Sequence, residues 1–260
     1  MTPSLPPVLA RFTLEGKVVL VTGGSRGLGL AMSRALGQVG AAVAVTARTQ
    51  EAADAAAAAL EQEGVRAIGV TMEVTDPTDV ERAVAEVTDR LGPVDVLVNN
   101  AGAGAVGAAL EVPDDVWRHI LSTNLDGVWH CCRTVGAQMV ERGEGVIVNI
   151  SSVLAEIVNA PRWQVSYLAA KAGVNQLTKG LAAEWASSGI RVNALSPGYF
   201  RTDMSPVDEP GGRVWSADPA AMKRVGDPDE LGPAIVFLAS AASSFMTGAV
   251  LTVDGGITLR

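Results

Sequence analysis

The sequence predicts an α/β fold, a single doubly wound domain whose seven-stranded parallel sheet is flanked by helices, and three observations predict it. Short runs of β-branched and aliphatic residues recur along nearly the whole 260-residue chain. Most lack polar alternation, as strands buried on both faces do. Between them lie Ala-rich stretches with 3.6-residue spacing, several closed by Gly just past the last apolar position. Parallel strands need crossover connections, so repeated strand–helix–strand units imply this architecture across residues 1–260.

Taken in order, Lys17–Thr22 reads as the first strand and leads through a glycine-rich turn into a helix over Leu28–Val39, stopped by Gly40. Ala42–Ala47 is the second strand, Glu51–Glu63 the second helix with Gly64 as its stop, and Arg66–Met72 the third strand. A helix over Asp76–Leu91 ends at Gly92, and Val94–Asn99 follows as the fourth strand. Longer helices are predicted at Asp114–Arg142, Val165–Ser188 and Pro228–Ser240, separated by strands at Val146–Ser151 and Arg191–Ser196, with Val250–Val253 as the last strand. The stretch from Gly198 to Gly226 is irregular and rich in Pro, Gly and Asp. A long loop near the carboxyl edge of such a sheet suits a substrate lid, at about residues 199–226.

Composition narrows the function. Apolar residues make up 48%, which excludes a disordered chain, and the formal net charge of −8 argues against neutralising nucleic-acid phosphates or anionic lipid. The most apolar windows are broken by charge before a membrane span is complete, and Met1 to Lys17 lacks the pattern of a secretory signal. The two cysteines, Cys131 and Cys132, are adjacent and cannot staple distant segments, which fits a reducing cytoplasm.

The first strand runs into Thr22-Gly23-Gly24-Ser25-Arg26-Gly27-Leu28-Gly29. Glycines 23, 27 and 29 permit a tight turn, close approach to a pyrophosphate and close helix–strand packing, while the following helix start offers free N–H groups and positive dipole. The other reading, a tight βα turn and nothing more, is weakened by the position directly after a buried strand. The second strand ends Val45-Thr46-Ala47-Arg48, without the acid that would take an NAD 2′-hydroxyl. Arg48 and Arg26 together point to a 2′-phosphate, and so to NADP(H); the alternative is an Arg48 that merely solvates its loop. Glu73 and Val74 follow the third strand, where the adenine edge is expected, the second offering backbone groups.

Tyr167 and Lys171 lie four apart, on one face of a predicted helix. A phenol with a reference pKa near 10 works as a base near neutrality only if a neighbouring cation favours the phenolate. Ser151-Ser152 ends the fifth strand at the edge where ligands bind, and a hydroxyl there can bond an oxygen on which charge develops. Taken alone, a Tyr-x-x-x-Lys pair is common on helix surfaces.

In company it is not. The glycine turn, Asn99-Asn100-Ala101-Gly102, Asn124, Ser152, Tyr167-x-x-x-Lys171, Pro197-Gly198 and Val253-Asp254-Gly255-Gly256 occur in the order and approximate spacing of the short-chain dehydrogenases/reductases, which the chain resembles from about Leu14 onward. The resemblance implies a Rossmann-type fold and a catalytic set of Tyr167 as general acid/base, Lys171 tuning it and holding the nicotinamide ribose, Ser152 orienting the substrate oxygen, and Asn124 anchoring a relay water. It places Ser25, Arg26 and Leu28 with the turn's glycines on the cofactor, and Asn100, Ala101 and Gly102 near the adenosine ribose. Pro197, Gly198, Phe200 and Thr202 would flank the nicotinamide. No metal is implied. In the family the helices carrying Trp117, Trp129 and Trp185 form subunit interfaces, which fits a homotetramer, or a homodimer, as well as an intrachain core.

Ile157-Val158-Asn159-Ala160-Pro161, with Leu177-Thr178-Lys179 and Ala183-Glu184-Trp185-Ala186, resembles the polyol and sugar-alcohol branch. Ala155 and Arg162 depart from that branch, which tends to have Gly and Gln there, and Glu73 stands where many members have Asp. Ala170 replaces the Ser often found before the Lys. Met204 and Trp215 fall in the expected lid and either cover substrate or anchor the loop. His119 and His130 share a helix without metal-ligand company, and both cysteines read as helix packing. The leading expectation is an NADP(H)-dependent carbonyl reductase or alcohol dehydrogenase for a small neutral hydroxy or keto compound. The alternatives are a 3-oxoacyl thioester reductase, disfavoured because an acidic carrier protein would want a basic surface, and a non-catalytic NADP-binding protein.

Overall fold

A computed structural model of the protein describes residues 6–158, 160–203, 205, 207–208 and 211–259, so Asn159 and Met204 lie outside the described residues. Strands β1 (Val18–Val21), β2 (Ala42–Ala47), β3 (Ala67–Thr71), β4 (Val96–Asn99), β5 (Gly145–Ile150), β6 (Ile190–Pro197) and β7 (Val250–Val253) form one seven-stranded sheet in the order β3-β2-β1-β4-β5-β6-β7. Every neighbouring pair is parallel. Both faces are covered. Val19 and Val21 pack with Met32, Leu36, Leu60 and Ile235 on one side, while Val18 and Leu20 pack with Val84, Val135 and Leu181 on the other. Alternate side chains of one strand therefore enter different apolar layers, which is why the strands read as unbroken hydrophobic runs.

The helices are α1 (Gly27–Gln38), α2 (Gln50–Gln62), α3 (Pro77–Leu91), α4 (Asp114–Leu121), α5 (Gly127–Arg142), α6 (Val165–Trp185), α7 (Gly212–Trp215) and α8 (Gly232–Ala239). Their starts are locally encoded: the Thr49 side chain accepts from Ala52 N–H at the head of α2, and Asp76 accepts from Thr78 and Asp79 N–H at the head of α3, with Pro77 in the first turn. Among the described residues no helix is long and apolar enough to cross a membrane.

Two of the long helices expected from the sequence are not uniform. Asp114–Arg142 is interrupted by a π-turn at Ser122–Asp126. The Asn124 side chain bonds the Ile120 carbonyl at 2.8 Å and also Ala103, and the helix widens where that side chain enters the ladder. Pro228–Ser240 begins as a 3₁₀ turn, Pro228–Leu231, held by a reciprocal capping box between Asp227 and Glu230, and becomes α-helical at Gly232. The stretch 199–226 carries α7 and an isolated parallel bridge between Phe200 and Gly226.

α2 lies directly on β3 because Gly69 has no side chain: a Cβ there would stand 2.4 Å from the Ala53 carbonyl carbon. Neither partner is a flexible side-chain tip, so Gly69→Ala pushes α2 off the sheet. Denaturant unfolding should show a loss of about 1–3 kcal/mol; an unchanged midpoint would contradict this backbone contact.

Candidate active site

The chain winds in opposite directions from β1 and β4, and that switch point is where an open α/β sheet binds ligand. The two strand ends are laced together there. Thr22 Oγ1 accepts from Asn100 and Ala101 N–H, both at 3.0 Å, and Asn100 Nδ2 donates to the Thr22 and Gly23 carbonyls at 3.0 and 2.9 Å. Gly23, at φ +61, sits so close that a Cβ would lie 2.9 Å from Ala101 Cα. Gly27, at φ +54, is different: the nearest atom to a Cβ there is a Thr202 methyl at 3.6 Å, so the face above the turn stays open.

α1 starts at this turn with Arg26 extended before it, no side-chain cap and no acid in its first turn. α2 and α3 spend their first N–H groups on Thr49 and Asp76; α1 keeps its own. Unsatisfied amides at a positive dipole end fit a pyrophosphate, which is the test a dinucleotide must pass here. Ser25 is half-buried beside the turn, and Leu28 packs into the core beneath it. Arg48, at the end of β2, is exposed and makes no ion pair among the described residues. Arg26 is exposed and lies 3.9 Å from the equally exposed Asp203, a pairing of little energetic weight.

Several expected contacts are already committed within the chain. Asn100 spends its Nδ2 protons bracing the turn. Glu73 Oε1 accepts from Thr75 N–H and hydroxyl at 3.1 and 2.9 Å, and the Val74 carbonyl lies 3.0 Å from His130 Nδ1. A Cβ on Gly102 would meet Asn124 Oδ1 at 2.8 Å. Gly198, after the buried Pro197, lies against Asp254, whose Cα would stand 2.7 Å from a Cβ. Phe200 is a core side chain packed on Gly226, while the Thr202 methyl stands at ordinary contact distance from Gly27. His119 is exposed, and no group of three metal-ligating side chains occurs among the described residues. Burial pushes the thiols of Cys131 and Cys132 up, that of Cys131 to about 12, which leaves neither as a nucleophile.

On the other side of the switch point, β5 ends at Ile150 and Ser152 follows in extended conformation. Ser152 Oγ accepts from Leu154 N–H at 3.1 Å, which fixes the oxygen and leaves its own proton to donate. Tyr167 lies in the first turn of α6 and Lys171 one turn on, with Nζ 5.6 Å from the Tyr167 ring centre. Lys171 is 3% exposed and donates to the Ile150 carbonyl at 2.7 Å, while Ser151 Oγ donates to the Lys171 carbonyl at 3.4 Å. Burial pulls the Lys171 ammonium down to about 8. Burial also pushes the Tyr167 phenol up to about 12, with Tyr199 raising it further and the Ser152 hydroxyl opposing both. Asn124, fully buried, has both amide atoms engaged with Ala103 and its Nδ2 also with Ile120.

Two features escaped the sequence reading. Asn99, Asn149, Thr178 and Cys132 form a buried polar chain joining β4 and β5 to α5 and α6, with 2.8 and 2.9 Å links. Nothing marks such a chain in a sequence beyond polar residues inside apolar runs. Arg162 stacks on Trp215 at 4.3 Å, and Trp215 meets Tyr199 edge-on at 5.0 Å; the arginine in place of glutamine was the available signal.

With this geometry in view, known proteins offer a direct comparison. The chain is 42% identical over 250 residues to galactitol 2-dehydrogenase (L-tagatose-forming) of Cereibacter sphaeroides, covering 95% of this chain and 97% of the relative. It is 40% identical over 253 residues to gluconate 5-dehydrogenase of Gluconobacter oxydans, again over 95% and 97%. The crystal structure of a gluconate 5-dehydrogenase from Burkholderia cenocepacia in complex with NADP and tartrate superposes with a TM-score of 0.92 at 39% identity, over 97% of this chain and 99% of that one. Residues 17–210 match the short chain dehydrogenase family. The chain belongs to that family and is an oxidoreductase that uses a nicotinamide cofactor to interconvert CH–OH and C=O groups.

Proposed function

We propose that this single-domain enzyme is NADP(H)-dependent and acts on a small polyhydroxylated alcohol or the matching ketone, with residues 199–226 as its lid. The observation that carries the reading is the convergence of Ser152, Tyr167 and Lys171 beside an anion-ready helix start. The bound nicotinamide supplies or accepts the hydride. Ser152, its oxygen fixed by Leu154 N–H, keeps its proton and donates a hydrogen bond to the substrate oxygen. Tyr167, held protonated by burial, gives its proton to that oxygen in reduction and takes it back in oxidation. Lys171 places a positive charge beneath the phenol and lowers the cost of a phenolate. Asn124 acts as a strut between α4 and the Gly102–Ala103 segment, so a relay water would rest on its main chain rather than its amide.

Arg48, which meets no carboxylate among the described residues, is the group we assign to the 2′-phosphate, joined by Arg26 once Asp203 gives way. The exposed Trp117, Trp129 and Phe245 support an assembly of like subunits, a homotetramer or homodimer, and two buried free thiols suit a reducing cytoplasm. The acyl-thioester alternative has the acidic balance against it.

Three measurements test the assignment. Tyr167→Phe should lower kcat by about 10²–10⁴ while leaving cofactor affinity nearly unchanged; retained turnover would refute the acid/base role. Arg48→Ala should weaken NADPH about tenfold or more and leave NADH nearly untouched, and equal losses would remove the phosphate assignment. In the cofactor-free protein, Lys171 gives up its proton near pH 8 when folded and near 10.5 when unfolded. The unfolded chain binds more protons in that window, so stability rises with pH there. Compared with Lys171→Met, the wild type should gain about 3 kcal/mol between pH 8 and 10.5; parallel curves would show that the ammonium is not buried as described.

A further inference from the structure

Among the described residues, Arg162 is a charged side chain whose neighbour is an aromatic ring and not a carboxylate. In the neighbouring segment each guanidinium is neutralised: Arg201 pairs with Asp208 and Asp227 at 2.9 and 3.0 Å, Arg213 with Asp218 at 3.1 Å, and Arg224 with Glu230 at 2.6 Å. Arg162 makes no ion pair among the described residues and lies half-buried with its carbon 4.3 Å from the Trp215 ring centre. Contact then runs inward: Trp215 meets Tyr199 edge-on, and Tyr199 is near enough to Tyr167 to raise its phenol. Tyr199 and Tyr167 also share a small apolar cluster with Ile157, Leu154 and Ile257. Two aromatic rings, Trp215 and Tyr199, therefore stand between the guanidinium and the reacting phenol.

Stacking occupies the flat face of a guanidinium and leaves its N–H edge, the fork that matches a carboxylate. In a chain of net charge −8, the general field repels an anion, so a site that admits one needs a local cation held in place. Resting on the assignment of Tyr167 as the acid/base, we infer that Arg162, positioned by Trp215, binds a carboxylate at the far end of the substrate, so that the enzyme selects a hydroxy or keto acid of several carbons over its neutral analogue. This reverses the neutral substrate expected from the sequence. Charge-assisted fork bonding supplies the discrimination, and the Trp215 stack holds the fork at a set distance from the reacting carbon.

The probes are D-gluconate and D-glucitol, which share a hydroxylated six-carbon chain and differ in one end, carboxylate against hydroxymethyl. Calorimetric titration into the NADPH complex, where neither is oxidised, reads binding alone. Gluconate should bind about tenfold or more tighter than glucitol. Arg162→Gln, which keeps polarity and removes charge, should bring the two within about twofold without changing glucitol or NADPH affinity, and Arg162→Lys should recover part of the preference. Equal affinities in the wild type would overturn the inference. So would an Arg162→Gln variant that loses both ligands alike, because the arginine would then only fasten the segment around Trp215. NADPH oxidation against a panel of ketoses and cyclic ketones judges the acid/base assignment separately: a gluconate preference abolished by Arg162→Gln stands whether or not a ketone in that panel is reduced.

Discussion

A buried lysine sets the terms for the rest of the site. Lys171 carries its ammonium into a place that water barely reaches and meets the Ile150 carbonyl at 2.7 Å. A charge buried that far costs several kcal/mol unless it is answered by close dipoles. The same contact ties α6 to the end of β5, aided by Ser151 on the Lys171 carbonyl, and so fixes Tyr167 one turn away relative to Ser152. Alongside the core packing of Val174 and Leu181 and the Asn149–Thr178 bond, this contact holds the phenol's cation in place beside the end of β5. Burial pushes the Tyr167 phenol up, and the Ser152 hydroxyl opposes that shift without reversing it, so Tyr167 stays protonated. The residues alone make a proton donor, and further positive charge is needed to make a base.

Around that pair the parallel sheet supplies position. Every strand ends at one edge, so Thr22, Asn100, Ser152 and Gly198 meet there although they are far apart in the chain. The β1 and β4 ends are locked by Thr22 and Asn100, and the lock holds the glycine turn in the shape that exposes the α1 amides. Charge is distributed with the same economy. The arginines of residues 199–226 pair with neighbouring acids, whereas Arg48, at the end of β2, and Arg162, over the Trp215 ring, make no ion pair among the described residues.

Much of this was legible in the residues. All seven strands lie where apolar runs placed them, Ala42–Ala47 and Val250–Val253 to the residue, because strands buried on both faces cannot hide their pattern. The helix ends at Gly64 and Gly92 were legible in the glycine stops, whereas the Thr49 and Asp76 caps became visible only in the structure. The π-turn at Ser122–Asp126 was not, since it depends on Asn124 reaching across to Ala103, a contact made by folding rather than by local spacing. That Asn100 braces Thr22 and Gly23 was not legible, because a spacing shows which residues come to the switch point and not which way an amide turns. The Arg162–Trp215 stack joins positions 53 residues apart and had no local signature beyond the arginine itself.

The claim on which the account turns is that burial holds Tyr167 as an acid until cofactor charge joins Lys171. Its most direct measurement is the titration of Tyr167 itself. The chain has two tyrosines, so ring-labelled tyrosine gives two resonances, assigned with Tyr199→Phe and followed against pH with and without NADP⁺. The Tyr167 phenol should resist ionisation beyond the ordinary value near 10 in the free protein and ionise well below it once NADP⁺ is bound. A Tyr167 that titrates at the same pH in both states, or as an ordinary phenol in the free protein, would contradict it.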